Sequence, residues 1–176
     1  MSFDRWHRVA GGVLLGLLPL LCGCYEFDRP LGPPEKGTID RALVGTWNCS
    51  PDWPHPDQDG PFPISFRAFD ATQYIVHLRD IEKGVVQDAF YRAYSTRVGA
   101  ETLLNARELK PAGPQDKWTY VRYRLAQGKL VLELVDDKQV GGTDEAATRA
   151  VRKRVADAKI YSELMTCTRS EEKEEK

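Results

Sequence analysis

Residues 117–136 read KWTYVRYRLAQGKLVLELVD. Two runs rich in Tyr, Val and Leu flank Gln127-Gly128, a dipeptide placed for a tight turn, so the stretch reads as a β-hairpin. Alternation puts Leu130, Leu132 and Leu134 on one face of the second run and Val131, Glu133 and Val135 on the other. The leucine face is expected to pack and the mixed face to meet water. Working outward, similar segments recur at intervals of about ten residues. They predict strands over 43–50, 63–69, 72–79, 88–98, 101–109, 117–126, 129–136 and 160–169, with breaks at Asp70-Ala71, Gly99 and Pro111 to Pro114. Eight strands are enough to close. The expected fold is therefore mainly β: an eight-stranded antiparallel up-and-down barrel.

One stretch departs from this pattern. From Thr143 to Lys159, Ala147, Val151, Val155 and Ala158 recur at helical spacing. Asp144 and Glu145 stand early and Arg149, Arg152, Lys153 and Arg154 late, which suits a helix dipole. A helix is expected before the last strand, capped by Thr143, with Gly141-Gly142 breaking the strand before it. Its basic side reads as a solvated face, with anionic lipid headgroups as the alternative contact.

The chain has 176 residues, 29% charged and 41% hydrophobic, with net charge −1. That length suits one domain with appendages, and the composition is too polar for several membrane spans. No basic excess is present to neutralise phosphates, which argues against a nucleic-acid partner.

At the N-terminus, Arg5 and Arg8 precede an apolar run from Val9 to Leu21. As a helix this run would span only about 20 Å, short of a bilayer's roughly 30 Å hydrocarbon layer, so it reads as an export signal. It ends in Leu21-Cys22-Gly23-Cys24, which resembles the lipobox of bacterial lipoproteins. The resemblance implies that residues 1–23 are a cleaved signal peptide. It also implies that Cys24 takes a thioether-linked diacylglycerol and an amide-linked acyl chain, making a membrane the chain's partner. Tyr25 stands where an aspartate would imply inner-membrane retention, so the implied location is the cell envelope, with the outer membrane favoured and the domain facing the periplasm. Residues 24–42, with Pro30, Pro33 and Pro34, read as a solvated tether; residues 171–176 read as a charged tail.

Gly45-Thr46-Trp47, in the first predicted strand, resembles the G-x-W of lipocalins and related calycin barrels. The resemblance implies a lipocalin-like domain over 43–170, with Trp47 on the barrel floor and an arginine from near the chain's end packed over it; Arg169 is the matching residue. Cysteine counting adds a test independent of that family. With Cys22 removed and Cys24 lipidated, Cys49 and Cys167 are left in an oxidising compartment, where two thiols pair. First and last strands are antiparallel neighbours in an up-and-down barrel, and a Cys49–Cys167 bridge sets a register in which Trp47 faces Arg169.

Candidate chemistry is sparse. His77, with Asp80 nearby, has no Gly-flanked nucleophile to serve. The loop 52–60, DWPHPDQDG, echoes a calcium loop but places His55 where its first aspartate belongs and Phe66 where its closing glutamate belongs. No enzyme activity, cofactor or metal is expected. Aromatics recur on consecutive strands at Tyr74, Phe90, Tyr91, Tyr94, Trp118, Tyr120 and Tyr123, interleaved with Arg92, Arg122 and Arg124. Phe90, Arg92 and Tyr94 share a face and form the candidate ligand wall, suited to an apolar body with an anionic head; core and rim packing is the alternative. Two functions fit: a membrane-anchored module that holds a small apolar or amphipathic ligand, or a structural lipoprotein that engages another envelope protein.

Overall fold

The hairpin forms as its alternation predicts. In the computed structural model, which describes residues 25–51, 60–82, 85–109 and 117–170, Val121 pairs with Leu134, Tyr123 with Leu132 and Leu125 with Leu130. Gln127 and Gly128 have φ of 52° and 74°. Positive φ at both central residues is what a type I′ turn requires, and such a turn matches the twist of the flanking strands. The signal peptide, Cys24, the loop around His55, the Pro111 to Pro114 break and the charged tail lie outside the described residues.

The strands are β1 (Gly45–Pro51), β2 (Phe62–Ala68), β3 (Tyr74–Glu82), β4 (Val85–Val98), β5 (Glu101–Glu108), β6 (Thr119–Ala126), β7 (Lys129–Val135) and β8 (Tyr161–Arg169). Each pairs antiparallel with the next, and β8 pairs with β1, giving a closed eight-stranded barrel. Closure leaves no strand edge unpaired. Cys49 and Cys167 are disulfide-bonded across the β1–β8 seam, and the register places Trp47 opposite Arg169.

Two helical pieces precede β8: α1 (Asp137–Val140) and α2 (Glu145–Arg154). The expected helix is thus present but shorter. Asp144, not Thr143, caps α2, its carboxylate accepting from the Ala147 N–H at 2.9 Å. Asp157 interrupts the tail of the expected helix by capping a separate 3-10 turn over Ala158–Ile160. Gly141 ends α1 in a left-handed conformation rather than breaking a strand.

The barrel has two apolar cores, one more than the alternation led us to expect. The inner core gathers Trp47, Phe66, Tyr74, Leu104, Leu130 and Leu132. The outer core covers the outward faces of β4 to β7, where Val98, Leu103, Tyr120 and Val135 are buried by α2 and by Phe27 and Leu31. The mixed face of β7 therefore does not simply meet water. Val135 is fully buried beneath the helical segment, and Glu133 bonds twice to the buried Arg122, at 2.6 and 2.8 Å.

The reading of residues 24–42 as a solvated tether is also corrected. The described part is a strap that runs along the outer wall. Phe27 pairs backbone to backbone with Trp118 at 2.7 and 2.8 Å and stacks on Tyr120 with centroids 4.1 Å apart. The Leu31 N–H donates to Asn105 Oδ1 at 2.6 Å, while the Tyr120 and Tyr94 hydroxyls donate to the carbonyls of Arg29 and Gly32. The segment is not wholly irregular: Pro34–Lys36 form one 3-10 turn, and Phe27 and Thr38 make isolated bridges to Trp118 and Ser95, so its prolines did not block docking. Phe27 and Leu31 each gain about 1.5 to 3 kcal/mol from burial, and side chains of the wall satisfy the strap's backbone polar groups.

Candidate functional site

The strap connects the two ends of the barrel. Its far end enters β1 beneath the floor, where Leu43 is fully buried and its carbonyl accepts from Trp47 Nε1 at 2.9 Å. The Arg169 guanidinium lies 4.8 Å above the Trp47 ring and donates to the carbonyls of Ala42 (2.7 Å) and Val44 (3.2 Å). Gly45 explains the first position of G-x-W: its φ is +133°, and a Cβ there would sit 3.2 Å from Arg169 Nη1. Asp40 completes the floor; its N–H donates to the Tyr74 hydroxyl, and its carboxylate accepts from the Tyr123 hydroxyl at 3.3 Å. Burial pushes the Tyr123 hydroxyl up to about 12 and raises that of Tyr74 as well.

Above this floor lies a cavity of about 420 Å³. That is within the range of roughly 300 to 1,000 Å³ typical of ligand sites. Its space has a cause in the sequence. Ala93 on β4 is paired with Ala106 on β5, which is paired with Thr119 on β6, and all three line the cavity. Three small side chains in a row across adjacent strands leave the volume that larger ones would fill. Phe66, Leu78, Leu104, Val121, Leu134 and Met165 supply apolar walls. At the end opposite the floor, Tyr25 and Glu26 join the lining, next to the Phe27–Trp118 bridge. Glu26 is the one charged residue among the described lining.

Phe90, Arg92 and Tyr94 do share a face of β4, but it is the outer one. Their neighbours Tyr91 and Ala93 face the cavity. Phe90 is exposed and stacks on His77 at 4.4 Å; Arg92 lies over the Phe69 ring at 4.6 Å and 3.8 Å from Asp70; Tyr94 is buried under the strap. A smaller depression on this wall is bordered by Arg92, Tyr94, Arg107 and Trp118. The strap and α2 bury part of the outer wall, so alternation separates the faces without saying which is inside. Ala93 and Ala106 were missed; small residues at one level of adjacent strands were the available signal.

His77 is paired with Asp88 at 2.7 Å; the side chain of Asp80 lies outside those described. Ser65, across from it on β2, bonds to Thr46 at 3.0 Å. These groups lie on the outer wall, away from the cavity. Among the described residues, no group of three or more His, Cys, Asp or Glu is disposed to hold a metal ion, and no helix is long and apolar enough to cross a membrane. The chain matches no protein-family model, no curated protein and no solved structure.

Proposed function

We propose that this chain is a lipid-anchored envelope lipoprotein whose barrel holds a small apolar molecule in its interior. The observation that carries the reading is the apolar cavity, closed by the Trp47–Arg169 floor and reached from the end where Tyr25 and Glu26 lie. Transfer of apolar surface from water drives such binding, and a described lining with a single charged group sets few polar demands on the ligand. The Gly45, Trp47 and Arg169 arrangement supports a lipocalin-like reading of the domain. The lipobox-like Leu21 to Cys24 supports the anchor, with Cys24 the acylated residue and the outer membrane, from its periplasmic side, the site of attachment. Catalysis has no part in this reading.

A second reading, an interaction surface for another envelope protein, draws on the exposed Val86 and Phe90 on the outward face of β4. Binding measurements separate the two. The full chain carrying Cys24→Ser, with the disulfide formed, should take up one equivalent of a neutral, polarity-sensitive fluorescent probe. Ala106→Phe, which fills the cavity, should weaken uptake about tenfold or more. Equal uptake by both proteins would exclude the interior as the site. An unchanged interior together with a reproducible crosslink from Phe90 to an envelope protein would favour the second reading.

A further inference from the structure

We propose that the interior is occupied by one of the chain's own acyl chains, carried on Cys24. The inference rests on the lipoprotein reading above and names the ligand of the same cavity. Three observations lead to it.

The first is position. The strap is fixed along its length, by the Phe27–Trp118 bridge at one end and by Asp40 beneath the floor at the other. Its first described residues, Tyr25 and Glu26, join the cavity lining next to the Phe27 bridge. The next residue back along the chain is Cys24, so the anchor follows directly in sequence on a residue of the lining. A solvated tether would have left the anchor tens of ångströms away in a random direction; the docked strap removes that freedom.

The second is charge. Among the described lining residues the only charged group is the Glu26 carboxylate, and no Arg or Lys accompanies it. A free fatty acid or an anionic phospholipid would bring its own negative group to a described lining that offers a like charge and no cation. A chain joined through an amide or an ester carries no charge at its linkage, so it meets no such penalty. The cavity is thus suited to the neutral linkage that an acylated cysteine presents.

The third is concentration. A chain tethered next to its site binds intramolecularly, with an effective concentration on the order of millimolar for a short flexible link. A free neutral lipid has no such advantage. With one chain in the barrel, the others stay in the bilayer, and the mouth is held facing the membrane surface.

The test uses the whole chain, expressed in a host fed a fatty acid that carries a photoreactive diazirine. Intact mass first reports whether Cys24 is acylated. Irradiation of the membrane-bound protein followed by peptide mapping then locates the chain. Crosslinks are expected on inward residues, Leu134 and Met165 above all, and Ala106→Phe should reduce them about tenfold while leaving acylation unchanged. Acylated protein should also take up the neutral probe about tenfold more weakly than the Cys24→Ser chain, because its cavity is filled. Crosslinks confined to phospholipid or to the outer wall would overturn the inference and leave the binding module standing if the Cys24→Ser chain still takes up probe. An intact mass without acyl chains would overturn the inference and the anchor together.

Discussion

The two ends of this barrel are built from opposite materials. At the floor, large and polar groups crowd together: Trp47 beneath Arg169, Asp40 between Tyr74 and Tyr123, and a disulfide across the closing seam. Toward the mouth, Ala93, Ala106 and Thr119 leave space, and the walls are largely apolar. On the proposed reading, the difference separates stability from ligand binding within one closed sheet. Groups that fix the register sit where nothing needs to enter, and the end that could admit a ligand avoids the residues that would fill it.

Substitutions at the two ends should therefore fail in different ways, and the largest effects belong to the floor and strap. Replacing Cys49 and Cys167 by serine opens a loop of sequence separation 118. In the chain-entropy model this lowers stability by about 4 to 5 kcal/mol, to be read from urea unfolding with and without reductant. Phe27→Ala removes a fully buried ring from the strap and should cost about 3 to 5 kcal/mol. It should also release the segment next to Cys24, visible as faster amide exchange at Leu31, which depends on Asn105. Arg169→Ala loses the stacking on Trp47 and two carbonyl contacts, at about 1 to 2 kcal/mol. Probe uptake by that variant should hold, since the cavity lies beyond the floor; a loss of uptake would show that the two ends are not separable.

Alkali should reach the floor through its phenols. Burial holds Tyr123 protonated up to about 12 and raises Tyr74, whereas the unfolded chain releases these protons near 10. The folded state then keeps protons that the unfolded state has lost, so this contribution is complete below about pH 10 and falls as pH rises toward about 12. Urea midpoints should drop between about pH 9 and about pH 11, and less so in Tyr123→Phe. Smallest of all in stability is Ala106→Phe, expected to cost about 1 kcal/mol or less because it enters existing space.

Strand number, closure and the seam register were legible from alternation and from cysteine counting, because side-chain period and antiparallel pairing leave little freedom once Cys49 meets Cys167. Trp47 and Arg169 followed from that register. The strap was not legible. Pro30, Pro33 and Pro34 signal the absence of regular structure, and nothing local distinguishes an irregular segment in solvent from one held by Asn105, Tyr94 and Tyr120, whose contacts lie far along the chain. The same long-range cover hid which face of β4 was inner, and so the candidate wall at Phe90, Arg92 and Tyr94 fell outside while Ala93 and Ala106 went unremarked.

The central claim is that the interior above the floor is an apolar binding site. The chain has two methionines, Met1 and Met165, and Met165 lines the cavity. A methyl-labelled methionine spectrum of the Cys24→Ser chain therefore contains one reporter inside the site. On titration with a neutral apolar ligand, its resonance should move and saturate at one equivalent, and Ala106→Phe should suppress the change. A Met165 signal that stays fixed while ligand binds elsewhere would contradict the account.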